Sequence, residues 1–104
     1  MKIEIAGLNY QVDDYTRDLV ARKLVQPLDK LVTSFEPDLK IARLKIEQRT
    51  RWGYKLKLHI KLAGRDLFSE DKDKDLVSAL VKVREGMEKQ IKKHLEKLQD
   101  YSKN

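Results

Sequence analysis

The chain has 104 residues, 38% of them charged, a formal net charge of +6 and a pI near 9.5, which fits one domain with one modest core. It has no cysteine, so disulfides, thiolate zinc sites and cysteine nucleophiles are excluded, in accord with a reducing cytoplasm. No apolar run approaches the ~20 residues of a membrane helix, and the opening Met1-Lys2-Ile3-Glu4-Ile5 reads as too charged for a signal peptide.

Ile3, Ile5 and Ala6 begin a short strand that ends at Gly7, and residues 9 to 13 read as a connection. Asp13 or Asp14 is placed to cap the next helix, and either acid suits the positive end of its dipole. That helix carries Leu19, Val20, Leu24, Leu28, Leu31, Val32 and Phe35 at spacings of three and four. Pro27 interrupts it. The missing N–H leaves the Lys23 carbonyl unbonded and the ring clashes with that turn, typically a cost of ~3 kcal/mol or more. The apolar stripe keeps its phase beyond Pro27, so a kinked helix or two helices end to end are expected, stopped by Glu36-Pro37-Asp38.

Residues 39 to 48 read as a strand with Ala42, Leu44 and Ile46 on one side and Arg43, Lys45 and Glu47 on the other. Leu39 and Ile41 fall in the opposite phase, which predicts a bulge or twist near Ala42. Arg51-Trp52-Gly53 is a hairpin tip. The next strand has Tyr54, Leu56, Leu58, Ile60 and Leu62 inward, with Lys55, Lys57, His59 and Lys61 outward. Ala63-Gly64-Arg65 is a second turn. Residues 66 to 70 supply Leu67 and Phe68 for a short last strand, and Asp71-Lys72-Asp73-Lys74-Asp75 is a solvated charge run ending at a helix cap.

The last helix spans about 76 to 98, with fraying expected from about 99. Its buried stripe is Leu76, Leu80, Val83, Met87, Ile91, Leu95 and Leu98. Lys82, Lys89, Lys93 and Lys97 lie with Gly86 on one side of its outward face; Glu85, Glu88, Glu96 and Lys92 lie toward the other. The order β-α-β-β-β-α predicts an α+β fold, a single domain over 1–104. A right-handed crossover sets strand one parallel to strand two in a four-stranded mixed sheet, and both helices cover one face.

Residues 40 to 65 hold nine basic side chains and one acid, Glu47, while the rest of the chain holds 14 basic and 16 acidic ones. A ribbon with one apolar and one cationic face suits a polyanion. Its outward row is Arg43, Lys45, Lys55, Lys57 and Lys61. Lysines there also keep a sheet soluble, but acids would do the same. Arg49 and Arg51 flank Trp52, whose ring is placed either to stack on an unpaired base, worth ~1–3 kcal/mol, or to fold back over its own hairpin. Tyr54 is in the inward phase and reads as core. The helix lysines read as phosphate contacts with salt-sensitive binding, or as an ordinary solvated face. His59 and His94 have no sequence neighbour completing a metal pair or catalytic dyad, and each reads as structural or as an RNA contact. The four glycines are isolated, so there is no phosphate-binding loop. No catalytic residue, metal, cofactor, small-molecule substrate or membrane partner is expected.

The chain resembles the ribosome hibernation-promoting factors and related ribosome-associated translation inhibitors, the protein Y family, in a short form. Ile3-x-Ile5-x-Gly7-x-Asn9, followed by an acid-capped helix with Arg17 and Lys23, is similar to the family opening. Asp75 and Ala79 sit where the family begins its last helix, and the run from Met87 to Leu98 resembles its basic ending. Val77, Val81, Gly86 and Leu95 depart from the family pattern, and the segment from 68 to 74 is more acidic than the family's fourth strand. The resemblance implies a non-enzymatic cytoplasmic factor of the stress response. It would bind small-subunit rRNA at the decoding region, as a monomer when bound, and occlude mRNA and tRNA sites. By position it carries rRNA contact to Lys89, Lys93 and Lys97, and more loosely to Arg17 and Lys23. Two rivals stand beside it: a general structured-RNA binder, and a regulatory protein-interaction module that presents the acidic stretch 66–75.

Overall fold

The computed structural model describes residues 1–33, 35, 36, 40–51 and 53–102, with side chains described as far as Lys97. Four strands form one sheet in the order β1-β2-β3-β4: β1 (Lys2–Leu8), β2 (Lys40–Arg49), β3 (Gly53–Leu62) and β4 (Arg65–Asp73). β1 runs parallel to β2, and the other pairs are antiparallel. The first helix comprises α1 (Asp14–Val20), a π-helical turn (Ala21–Val25) and α2 (Gln26–Asp29); the last is α3 (Leu76–Ser102). This is the expected β-α-β-β-β-α arrangement in an α+β domain.

Alternation puts Ala42, Leu44 and Ile46 of β2 and Leu56, Leu58, Ile60 and Leu62 of β3 on one face, all buried. Leu19, Leu24 and Leu28 from the first helix and Leu80, Val83, Met87 and Ile91 from α3 close over them. Among the described residues no layer covers the other face. Asp13 rather than Asp14 is the N-cap: its carboxylate accepts from Thr16 N at 2.8 Å and Thr16 Oγ1 at 2.7 Å. Those hydrogen bonds hold its carboxyl below the usual range. Asp75 caps α3 in the same way, accepting from Ser78 N and Oγ at 3.0 Å.

Pro27 produces neither a break nor a second separate helix. One residue more is wound into the turn before it, giving the π segment Ala21–Val25, and Pro27 then falls in the first turn of α2. The Lys23 carbonyl, which an N–H at position 27 would have bonded, accepts instead from Arg84 Nη1 of α3 at 3.2 Å. Glu88 Oε1 lies 2.9 Å from Arg84 Nε, an ion pair without hydrogen-bond alignment, since that Nε has no hydrogen-bond partner. An arginine thus ties the irregular turn to the opposite helix.

Three expectations are corrected. β2 and β3 pair residue for residue from Lys40↔Leu62 to Arg49↔Gly53, with no bulge at Ala42. Ile41 simply stands on the open face, 40% exposed. β4 is not a short strand followed by a solvated run: it extends through Asp71, Lys72 and Asp73, because their backbone pairs with Leu56, Lys55 and Tyr54. Ladder bonds along a neighbour already in place outweigh the poor strand propensity of aspartate. Phe68 points away from the core. Helix α3 also runs past 98 to Ser102. The expectations for Pro37, Asp38, Leu39 and Trp52, the side chain of Leu98, and fraying from about 99 fall wholly or partly outside the described residues.

Two results are expected from this packing. Ile60→Ala should lower unfolding free energy by ~2–5 kcal/mol in urea titration, and a loss under about 1 kcal/mol would mean that the site is not packed as described. Arg84→Met should destabilise the wild-type chain by ~1–3 kcal/mol, but less in a Pro27→Ala background, where a restored N–H can serve the Lys23 carbonyl. Equal losses in the two backgrounds would contradict the coupling.

Candidate nucleic-acid interface

The open face of the sheet is a lattice set by strand register. Its rows read Lys2–Ile41–Lys61–Asp66, Glu4–Arg43–His59–Phe68, Ala6–Lys45–Lys57–Glu70 and Leu8–Glu47–Lys55–Lys72. The expected outward row Arg43, Lys45, Lys55, Lys57 and Lys61 is therefore on one face, with Arg49 at its end. The flanking strands alter its charge. Glu4 of β1 reaches Arg43 at 3.4 Å, Glu70 of β4 reaches Lys55 at 2.8 Å, and Asp66 accepts or shares a hydrogen bond with His59 Nε2 at 2.8 Å. Glu47 pairs with Arg49. Eight basic residues, counting Lys2, Arg49 and Lys72, thus share the face with four acids, a net of +4. Among the described residues no ion pair involves Lys45, Lys57 or Lys61. Arg51 is exposed in the β2–β3 turn.

Lys40 belongs to the basic segment but not to this face. It is buried beneath the sheet, and its Nζ lies 3.4 Å from Asp29 Oδ1; the Met1 amino group lies 3.1 Å from Asp29 Oδ2. Burial opposes ionisation of Asp29, but the hydrogen bonds and charges of these two cations outweigh it and keep the carboxyl below its usual range.

The lysines of α3 divide by what β4 offers them. Lys82 donates to Asp73 Oδ2 at 2.8 Å. That hydrogen bond and the carboxylate charge raise Lys82 above its usual value, while the same bond lowers Asp73. Lys89, Lys93 and Lys97 are exposed and in no ion pair among the described residues. Lys93 and Lys97 line a cleft of about 240 Å³ together with Arg65, Asp66, Gln90 and His94. His94 is 8% exposed, and its Nδ1 has no hydrogen-bond partner among the described residues. Burial first, then the charges of Arg65 and Lys97, push its imidazole below the usual value, so it is neutral near pH 7. Arg65, counted from sequence among the nine basic residues of 40–65 and placed in a turn, is the cation not expected to stand beside the α3 lysines.

Close docking of α3 on β4 makes this edge. Ser69 Oγ donates to the Val83 carbonyl at 2.9 Å. A Cβ on Gly86 would lie 2.6 Å from that same Oγ, so glycine leaves room for Ser69 to hold this rotamer and its bond to Val83. The Gln90 amide accepts from Phe68 N at 3.1 Å and donates to Phe68 O. The Phe68 ring stacks on His59, centroids 4.5 Å apart and planes within 10°, and stays 62% exposed. Tyr54, by contrast, is half-buried and meets Tyr10 edge to face at 5.8 Å, as its inward phase predicts.

Arg17 and Lys23 do not join this group. They belong to the first helix, which meets α3 on the Arg84 and Glu88 side, around the axis from Lys89, Lys93 and Lys97. Among the described residues no group of histidine and acidic side chains could hold a metal ion, and no helix is long and apolar enough to cross a membrane.

The family model described as "Sigma 54 modulation protein / S30EA ribosomal protein" matches residues 3–99. The protein Y N-terminal domain of Thermus thermophilus is similar in structure, with a TM-score of 0.78 and 25% identity over 90% of this chain and 99% of that one. A ribosomal subunit interface protein from Coxiella burnetii superposes with a TM-score of 0.72, covering 92% of this chain and 99% of that one; at 15% identity it speaks to the fold alone. No curated protein sequence matches the chain. A family match over nearly the whole length, on the strand and helix order that the family resemblance implies, fixes the assignment: the chain belongs to the Sigma 54 modulation protein / S30EA ribosomal protein family.

Proposed function

We propose that this protein is a non-enzymatic, cytoplasmic, ribosome-associated hibernation factor. It binds small-subunit rRNA at the decoding region and stops translation by occupying the path of mRNA and tRNA. Family membership supports association with the ribosome. The observation that carries the RNA contact is the row Lys89, Lys93 and Lys97 on α3, exposed, without carboxylate partners among the described residues, and joined by Arg65 from β4.

Mechanism follows from shape and charge. Two helices packed on a sheet make a rigid body, so binding it excludes whatever shares its place. Lysines that neutralise phosphates release counterions, which drives binding and makes it fall steeply with added salt. Acids near the sheet centre hold Arg43 and Lys55 in local pairs, so the α3–β4 edge offers charge at less desolvation than the middle of the sheet.

Co-sedimentation with small subunits at rising salt is the test. Bound protein should decline steeply between low and moderate salt; binding that ignores salt, or no binding, rejects the proposal. The double variant Lys89→Glu/Lys93→Glu should weaken binding by on the order of tenfold or more. Lys82→Ala should change it much less, because that ammonium is engaged by Asp73. Equal effects at the two sites would place the contact elsewhere on α3.

A further inference from the structure

Phosphate contact by the α3 lysines gives Phe68 no role. Its ring stands exposed on the open face, in the middle of β4, at a position where alternate residues are charged. It is also firmly held. Gln90 satisfies both its backbone N–H and its carbonyl, and Ser69 beside it is tied to Val83. His59 covers one face of the ring, and His59 is itself fixed by Asp66. β4 pairs only with β3, so the second face of the ring looks toward the free edge of the sheet. The ring lines a hollow on the open face together with His59, Arg43, Lys45 and Lys57, and among the described residues Lys45 and Lys57 are in no ion pair. The two acids of that hollow, Glu4 and Glu70, are engaged by Arg43 and Lys55.

We propose that the β4 edge is a stacking site for an unpaired base of single-stranded RNA. The base lies on the open face of Phe68 and extends the His59–Phe68 stack, while its flanking phosphates meet Lys45 and Lys57. A pre-ordered aromatic gains stacking without the entropy of ordering it first. Duplex RNA has no base free to enter, since each is stacked within the helix. The surrounding cations favour a polyanion over an apolar protein knob. The inference rests on RNA being the partner, but it does not require the ribosome.

The experiment is fluorescence anisotropy with a short labelled oligouridylate, an abasic ribose-phosphate oligomer of the same length, and a duplex RNA. The wild-type chain should bind the oligouridylate more tightly than the abasic oligomer. Phe68→Ala should lose about 5- to 100-fold on the oligouridylate and nothing on the abasic oligomer. Phe68→Tyr should keep most of the affinity and serves as the folded control. Oligouridylate binding unchanged by Phe68→Ala, or an equal loss on the abasic oligomer, overturns the proposal. So does a Phe68→Ala variant whose only effect is to dissolve a protein dimer in sedimentation velocity. Failure here with salt-sensitive ribosome binding intact leaves the ribosomal reading standing. A Phe68-dependent oligonucleotide affinity without ribosome binding supports the stacking site and rejects that reading.

Discussion

The contact between α3 and β4 governs what this molecule presents to a partner. Gly86 has no Cβ, so the helix backbone comes close enough for Ser69 to bond the Val83 carbonyl. Once that approach is made, helical geometry dictates the rest. Gln90, one turn further on, reaches the Phe68 backbone, and Lys93 and Lys97 fall beside Arg65. An alanine at 86 would drive the Ser69 hydroxyl from its place and cost the bond to the Val83 carbonyl. The edge strand is also protected by this contact: its outer backbone at Phe68 is bonded to a side-chain amide and cannot template pairing with another chain.

Electrostatics then divides the basic residues into groups with different fates. On the sheet face Glu4 and Glu70 answer Arg43 and Lys55, and among the described residues Lys45, Lys57 and Lys61 are in no ion pair. Beneath the sheet, Lys40 is consumed by the Asp29 cluster that also holds the N-terminus. Arg17 and Lys23 face away on the first helix. The α3–β4 edge adds Lys89, Lys93 and Lys97 with Arg65.

The fold was largely legible because its signals are local. Strict alternation from Leu56 to Leu62 and the spacing from Leu76 to Ile91 each fix an element and its buried face, and a crossover of one hand fixes the strand order. Two misreadings have a common cause. The bulge near Ala42 was inferred from the phase of Leu39 and Ile41, and the solvated run at 71–73 from its charges, whereas both segments are set by a partner strand that pairs with them. The site was less legible for the same reason. Counting charge along residues 40 to 65 could not show that acids from β1 and β4 would stand between those lysines. Nor could it show that Phe68, next to Leu67, would turn outward onto His59. The Arg84 bond to the Lys23 carbonyl joins residues 61 positions apart, and only the packed helices reveal it.

The central claim is that the α3–β4 edge, rather than the first helix, lies against ribosomal RNA. The native chain has no cysteine, so a single Lys93→Cys variant carries an iron chelate at one defined point. Hydroxyl radicals generated there on bound small subunits should cleave rRNA strongly around the decoding region, while an Asp18→Cys probe on the first helix should cleave it weakly. Strong cleavage from position 18 with none from position 93 would contradict the account.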